Sequence, residues 1–320
     1  MKVAIHSEFA GAGQMAFYSG LDAGNRTHGA NISFLPLREP LESIWGSSRL
    51  LDMADACVGS LVSDAWFERL GDRRIRCVNL GQWSRICSVA TVGLDYYQAG
   101  FDAAEALIET AAREIYVVGP AGQWRTRRLF EGAEASAAGL EGVSILRGPS
   151  IYGNALSSWL ARFTKDETVG IVAISDFVAR RIIDLAIEEG LEPGSFLRIV
   201  GIGDDPEASL LSPISIASVQ IPYHAMGRKV VDCLLSEAGD SEDEEPVSHL
   251  LRPGPLMERE SLGRSAKRDP TVERALVLMK RLIRRPFGID SLAQRLGVSR
   301  RSLEVKFRTA NLDSPSKAWL

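Results

Sequence analysis

The 320-residue sequence predicts a two-lobed α/β core built on parallel sheets, followed by a small all-α segment. Three observations carry this expectation. Over residues 1–258, short β-rich apolar runs alternate with longer helical patterns, as in βαβ units with helices on both faces of a sheet. About 250 residues is large for one such sheet, so two lobes are expected. The charge then divides. From Pro270 onward there are eleven Lys/Arg against four Asp/Glu, which leaves 26 of the 37 basic and 37 of the 41 acidic residues in the body. A net charge of −4 therefore conceals a basic tail on an acidic body, an asymmetry that suits a polyanionic partner for the tail.

In chain order, strands are expected at 3–6, 30–36, 56–60, 75–80, 88–92, 114–119, 143–146, 170–174 and 198–203, with helical patterns at 97–112, 129–138, 177–189 and 223–236. Ser241-Glu-Asp-Glu-Glu-Pro246 is too charged for a core element and loops into a last strand at 247–251. The expected division gives one lobe about 1–112 and 216–240, and the other about 113–215 and 247–258. Residues 259–269 are polar, bear Gly and Ser and have no periodicity, which reads as a linker to 270–320. There Asp269 and Pro270 open a helix as N-cap and first helical residue, with Val272, Ala275, Leu276, Met279 and Ile283 at helical spacing.

Residues 289–308 read as a helix-turn-helix. A short helix carries Leu292, Ala293 and Leu296, and Gly297 permits the tight turn at little conformational cost. Val298 plugs the core, Ser299 caps the next helix, and Leu303 and Phe307 anchor it. This places Ser299, Arg300, Arg301, Glu304 and Lys306 near or on the outer face, where such a helix meets base edges and phosphates in the major groove. An ordinary helical hairpin has the same anchors; the basic context favours double-stranded DNA as partner.

The segment 269–307 resembles the first of two helix-turn-helix units in the AraC/XylS class of regulators. Ser314-Pro-Ser-Lys-Ala-Trp-Leu320 looks like the opening of the helix that joins the two units, and the second unit is not in the sequence. Val305 stands where that class carries a polar or basic residue. Both departures imply weakened autonomous DNA binding, and Phe307 packing against an incomplete partner surface.

The body resembles the sugar-sensing core of LacI-type repressors and the related periplasmic binding proteins. Four stretches carry the likeness. They are Val92-Gly-Leu-Asp95 with Gln98-Ala-Gly100; Arg125-Thr-Arg-Arg128 before Gly132-Ala133; Ile174-Ser-Asp176; and Val200-Gly-Ile-Gly-Asp204-Asp205 with Pro213, Ser218-Val-Gln-Ile-Pro222 and Gly227. Carboxylates and an arginine fork at strand ends suit sugar hydroxyls, which both donate and accept. The resemblance implies ligand contacts from Asp95, Arg128 and Asp204, with Asp176 beside them and the Tyr223 ring against the ligand. Arg127 is the alternative to Arg128. Asp176 can equally be a helix cap, a helix cap is the alternative for Asp204, Asp205 reads as structural, and His6 and Ser7 either line the cleft or complete a turn.

Joined in this order, the two halves resemble the xylose operon regulator family, which implies a sugar effector and a homodimer on DNA. A transport solute-binding protein shares the core fold and is the alternative. No apolar run reaches membrane-spanning length, the N-terminus enters a strand without a signal-peptide pattern, and Cys57, Cys77, Cys87 and Cys233 are scattered, so a reducing cytoplasm without membrane contact is expected. Catalysis is not expected, since no Ser-His-Asp order, metal-ligand spacing or cofactor loop is present. Gly11-Ala-Gly13-Gln lacks the Lys-Ser/Thr of a phosphate-cradling loop.

Overall fold

The inner strands of the first sheet are buried on nearly every residue, as parallel strands covered on both faces require, while the edge strand Ser33–Pro36 is only partly buried. β1 (Lys2–Ile5), β2 (Ser33–Pro36), β3 (Ala56–Gly59), β4 (Arg76–Asn79) and β5 (Ala90–Leu94) form most of a first six-stranded parallel sheet. The computed structural model describes residues 1–9, 11–38, 53–60, 76–81, 89–163, 168–236, 248–263, 271, 275 and 288–309. The start of the strand expected at 88–92, the charged stretch 241–246, most of the first helix of the tail and residues 314–320 lie outside these.

A second six-stranded sheet contains β6 (Glu114–Val118), β7 (Ser144–Arg147), β8 (Val169–Ala173), β9 (Leu197–Gly203), β10 (Ala217–Gln220) and β12 (Leu256–Met257). Its order is β12-β10-β9-β8-β6-β7, parallel except for the β10–β12 pair. The first sheet runs β11-β5-β4-β3-β1-β2, with β11 (Ser248–Leu251) parallel to β5. Helices α1 (Gly11–Thr27) and α7 (Tyr223–Leu235) cover the first sheet, where Phe17, Leu21, Met226, Val230 and Val231 meet Val3, Ile5, Val58 and Val78. Helices α2 (Tyr96–Glu109) and α3 (Trp124–Ala137) cover one face of the second sheet, and α4 (Ala155–Leu160) and α5 (Asp176–Glu188) the other.

Three expectations are corrected here. α2 packs on Val172, Val200 and Val219 of the second sheet, so the first crossing between lobes lies at Leu94–Tyr96 rather than near residue 112. β10 belongs to the second lobe and β11 to the first, the reverse of the expected allotment: β10 stays beside β9, the strand before it, whereas β11 crosses back to pair with β5. Residues 259–263 are not linker. Glu260–Leu262 form a 3-10 turn, Leu262 is fully buried, and the two compact units divide at Met1–Gly263 and Arg264–Leu320.

α1 was not among the expected helical patterns, since its many Gly and Ala residues dilute the apolar spacing. Those glycines serve a close crossing. A Cβ on Gly20 would lie 2.1 Å from the His224 carbonyl, and one on Gly227 2.2 Å from the Phe17 carbonyl. The second lobe repeats the device: Gly100 and Gly132 bring α2 and α3 together, each with a carbonyl of the other helix within 2.0 Å of its missing Cβ. Cys57 and Cys77, distant in sequence, are register partners on β3 and β4 with Sγ atoms 2.7 Å apart.

The second unit, described by itself, holds α8 (Ile289–Arg295) and α9 (Arg300–Thr309) around Gly297 at φ 69°. Ala275, Leu292, Ala293, Leu296, Leu303 and Phe307 form its core, with Val298 against it. Phe307 is fully buried, which corrects the expected incomplete packing: Ala275 and the anchors of α8 enclose it.

Candidate functional site

The carboxyl ends of β8 and β9 bring three of the five expected ligand residues into one electrostatic neighbourhood. Ser175 caps α5 by accepting from the Val178 N–H, so Asp176 is free of that task. Its carboxylate instead turns inward and is 2% exposed. The Ser218 hydroxyl donates to Asp176 Oδ1 at 2.6 Å, and the Asp205 N–H donates to Oδ2 at 2.6 Å. The tight fit requires Gly201, whose Cβ would sit 2.1 Å from Asp176 Oδ1.

Burial dominates the Asp176 titration and pushes it up to about 6, against the lowering effect of the Ser218 and Asp205 hydrogen bonds. The Asp204 charge raises it further and Arg259 lowers it. The folded value lies above the ordinary carboxylate value, so the cost of burying the charge is full above about pH 6 and is relieved as pH falls toward 3.8. From pH 7 to pH 5, the chain is expected to gain about 1 kcal/mol of unfolding free energy relative to the Asp176→Asn variant. Parallel denaturation series at the two pH values check this. Identical pH slopes for the two proteins contradict it.

Asp204 ends β9 with φ 53°, a left-handed conformation that Asp tolerates better than most residues. Its N–H donates to Ser218 Oγ at 2.9 Å, so one hydroxyl joins both aspartates. Its Oδ2 accepts from Gln220 Nε2 at 2.7 Å, and its Oδ1 accepts from Arg259 Nη2 at 2.5 Å. Asp205 caps the short helix α6 (Pro206–Leu211) through the Glu207 and Ala208 N–H groups.

Tyr223 begins α7 at the second crossing between lobes. Its ring packs edge-on to Phe9, with centroids 5.0 Å apart, and occupies the space a Cβ on Gly13 would take. Burial first, then Tyr96, Asp176 and Asp205, raise its pKa, which places its hydroxyl within electrostatic reach of those groups. On the first lobe, β1 leads into His6 and Ser7, whose Nδ1 and Oγ atoms are buried without a partner among the described residues. Burial lowers the His6 pKa, partly offset by Glu8.

Asp95 and Arg128 are held by other partners than the aspartate pair. Asp95 caps α2 at the first crossing, its Oδ1 accepting from the Tyr97 and Gln98 N–H groups at 3.1 and 3.2 Å. Arg128 pairs with Glu131, and its guanidinium lies 4.9 Å from the Tyr97 ring centroid and 5.8 Å from that of Trp124. Arg127 is more exposed and shares Glu131. Arg125 donates from Nε to Gln123 Oε1 at 2.9 Å, and its charge partly offsets the rise that burial imposes on the Tyr96 hydroxyl at the first crossing.

Sequence reasoning did not select Arg259, Gln220, Ser218, Arg125 or Tyr96. For Ser218 and Gln220 a signal exists: they alternate with the buried apolar Ala217 and Val219 along β10, so two polar residues share one face of the strand. Arg259 offers none, because it sits in a polar run without periodicity.

In the second unit, Ser299 Oγ accepts from the Ser302 N–H at 3.1 Å and opens α9. Arg301 and Val305 are exposed on it, with Glu304 and Lys306 half-buried. Arg300 is held by Glu304 at 2.9 Å and Asp290 at 3.4 Å.

Residues 104–262 match the periplasmic binding protein-like domain family. The xylose operon regulatory protein of Escherichia coli strain K12 is 26% identical over 155 residues, covering 48% of this chain and 39% of that protein. The match therefore spans well under half of that relative. Among solved structures, the xylose-binding transcription activator xylR superposes with a TM-score of 0.63 at 18% identity over 99% of this chain and 84% of its own. The cellobiose complex of the regulator CelR gives 0.61 at 21% identity, covering 81% and 84%. A LacI-family regulator from Enterococcus faecium with bound ribose gives 0.62 at 16%, covering 81% and 97%. At these identities the structures establish the two-lobed fold. All of these relatives are transcription regulators by name, and among the described residues no helix is long and apolar enough to cross a membrane.

Proposed function

We propose, for a chain whose residues 104–262 match the periplasmic binding protein-like domain family, the role of a sugar-responsive, DNA-binding transcription regulator. The observation that supports this reading is a pair of strand-end aspartates joined through Ser218, in the same chain as two short helices that turn at Gly297 on a small apolar core. The proposed effector is a neutral monosaccharide, xylose or one of similar size. Asp204 and Asp95 accept from its hydroxyls, since Asp95 spends only Oδ1 on its helix cap. Arg128 donates, Tyr223 offers an aromatic face, and Asp176 holds Asp204 in place through Ser218. The orphaned His6 and Ser7 atoms add polar capacity on the first lobe, consistent with a hydroxyl-rich ligand.

On the output side, Ser299, Arg300, Arg301, Glu304 and Lys306 present α9 to DNA in this reading. Two protomers form the working unit, and the exposed Leu210 and Leu211 of α6 are candidates for the contact between them. Two observations favour a second reading, a sensor with little DNA affinity of its own. Val305 is 49% exposed on the outer face of α9, and Arg300 is partly neutralised by two carboxylates.

Salt dependence separates the two. If α9 contacts phosphates, log affinity for duplex DNA falls linearly with log salt concentration. Arg301→Ala is expected to weaken binding about threefold to tenfold regardless of sequence, and to lower the salt slope by about one. An unchanged slope removes Arg301 from the phosphate contacts. No binding at low salt, with or without sugar, selects the second reading.

A further inference from the structure

We propose that Arg259 is the positioning residue through which the effector site holds the segment leading to the second unit. This rests on the reading of Asp204 as an effector ligand. Arg259 lies only four residues before Gly263, where the sensor unit ends. Its two terminal nitrogens serve two purposes: Nη2 donates to Asp204 Oδ1 at 2.5 Å, and Nη1 donates to the Ile216 carbonyl at 2.7 Å. The pair is about one-fifth exposed on each side, so water screens it only in part.

The residues that follow are fastened to β9 and β10, the strands whose ends carry Asp204 and Gln220. Ser261 Oγ donates to the Ile199 carbonyl at 2.6 Å and accepts from the Ala217 N–H at 2.8 Å. Glu260 Oε2 accepts from both the N–H and the hydroxyl of Ser215 at 2.7 and 2.6 Å. Arg198 donates to the Leu262 carbonyl at 2.9 Å. The exit of the sensor and the mouth of its site are thus one hydrogen-bonded structure, with Arg259 as the member that touches the effector carboxylate.

Both Asp204 oxygens are occupied by the chain's own donors, Gln220 and Arg259. A sugar hydroxyl that takes Oδ1 competes with Arg259 for it. The exchange gives the effector a differential interaction with the latched and unlatched exit, which is what coupling requires. An unlatched Arg259 keeps only Ile216, and the turn at Glu260–Leu262 loosens.

The test uses the full chain and the Arg259→Met variant, which keeps the apolar stem and removes the charge. Without any sugar, hydrogen exchange at the 260–263 amides is expected to speed up about tenfold in the variant, with β6 and β8 unchanged. Unaltered exchange at 260–263 overturns the latch. In a second arm, D-xylose, D-ribose and L-arabinose are titrated by calorimetry, and duplex DNA affinity is compared with and without the binding sugar. The wild-type affinity ratio is expected to fall toward one in Arg259→Met, while the sugar still binds. A ratio equal to wild type overturns the proposal. Failure of every sugar to bind the wild type contradicts the sugar reading and the sugar-for-Arg259 exchange; the exchange arm still decides whether Arg259 fastens the exit.

Discussion

Replacing Gly132 by alanine is expected to destabilise the sensor unit by about 3 kcal/mol, a large part of a domain's usual margin. The added Cβ lands 1.8 Å from the Tyr97 carbonyl and 3.0 Å from the Phe101 nitrogen, both backbone atoms of the crossing helix. No rotamer change relieves that contact, so α2 and α3 must separate and open the core around Leu129 and Ala103. Alanine's better helix propensity returns about 1 kcal/mol, too little to compensate. Gly288→Ala is the control, because nothing lies within 4 Å of its missing Cβ. Denaturant titration compares them, and a loss below about 0.5 kcal/mol in Gly132→Ala refutes the close-crossing account.

The second large effect is on effector binding. Asp204→Asn is expected to weaken the sugar about tenfold to a hundredfold, since a hydrogen bond to a charged group contributes about 1.5–3 kcal/mol. Asparagine tolerates the left-handed backbone at this position, so the fold is retained. Asp204→Ala is expected to lose as much binding and to pay a small additional backbone cost. Calorimetry measures the affinity and circular dichroism the fold. Full affinity in a folded Asp204→Asn protein takes Asp204 out of the site.

Much of the fold was legible because parallel strands are short, apolar and bounded by turn residues. β6, β8 and β9 were located within a residue or so of their ends, as their runs of Val and Ile have no helical alternative of comparable length. α1 was missed because its glycines serve a close helix crossing, which erases the apolar stripe that marks most surface helices. The allotment of β10 and β11 failed for a different reason. Local pattern fixes that a strand exists but not which sheet it joins: β10 pairs with the strand just before it, and β11 with β5, more than 150 residues upstream.

The candidate site divides along the same line. Asp204 follows β9 directly and Asp176 comes just beyond β8, after Ile174 and Ser175, so their place at strand ends could be read, and Tyr223 sits at a helix start within electrostatic reach of Asp176. Arg259 arrives from 55 residues beyond Asp204 and is invisible to spacing. Its run was read as linker because polarity and missing periodicity are shared by true linkers and by segments that are fastened through side-chain hydrogen bonds.

The proposed function requires a sugar site in the sensor unit that involves Asp204. The most direct measurement is calorimetric titration of the full chain with D-xylose, D-ribose, L-arabinose and D-glucose, repeated on Asp204→Asn. Saturable one-to-one binding of at least one of these sugars is expected, weakened at least tenfold by the substitution. A folded chain that binds none of them, or binds one with equal affinity in both forms, contradicts it.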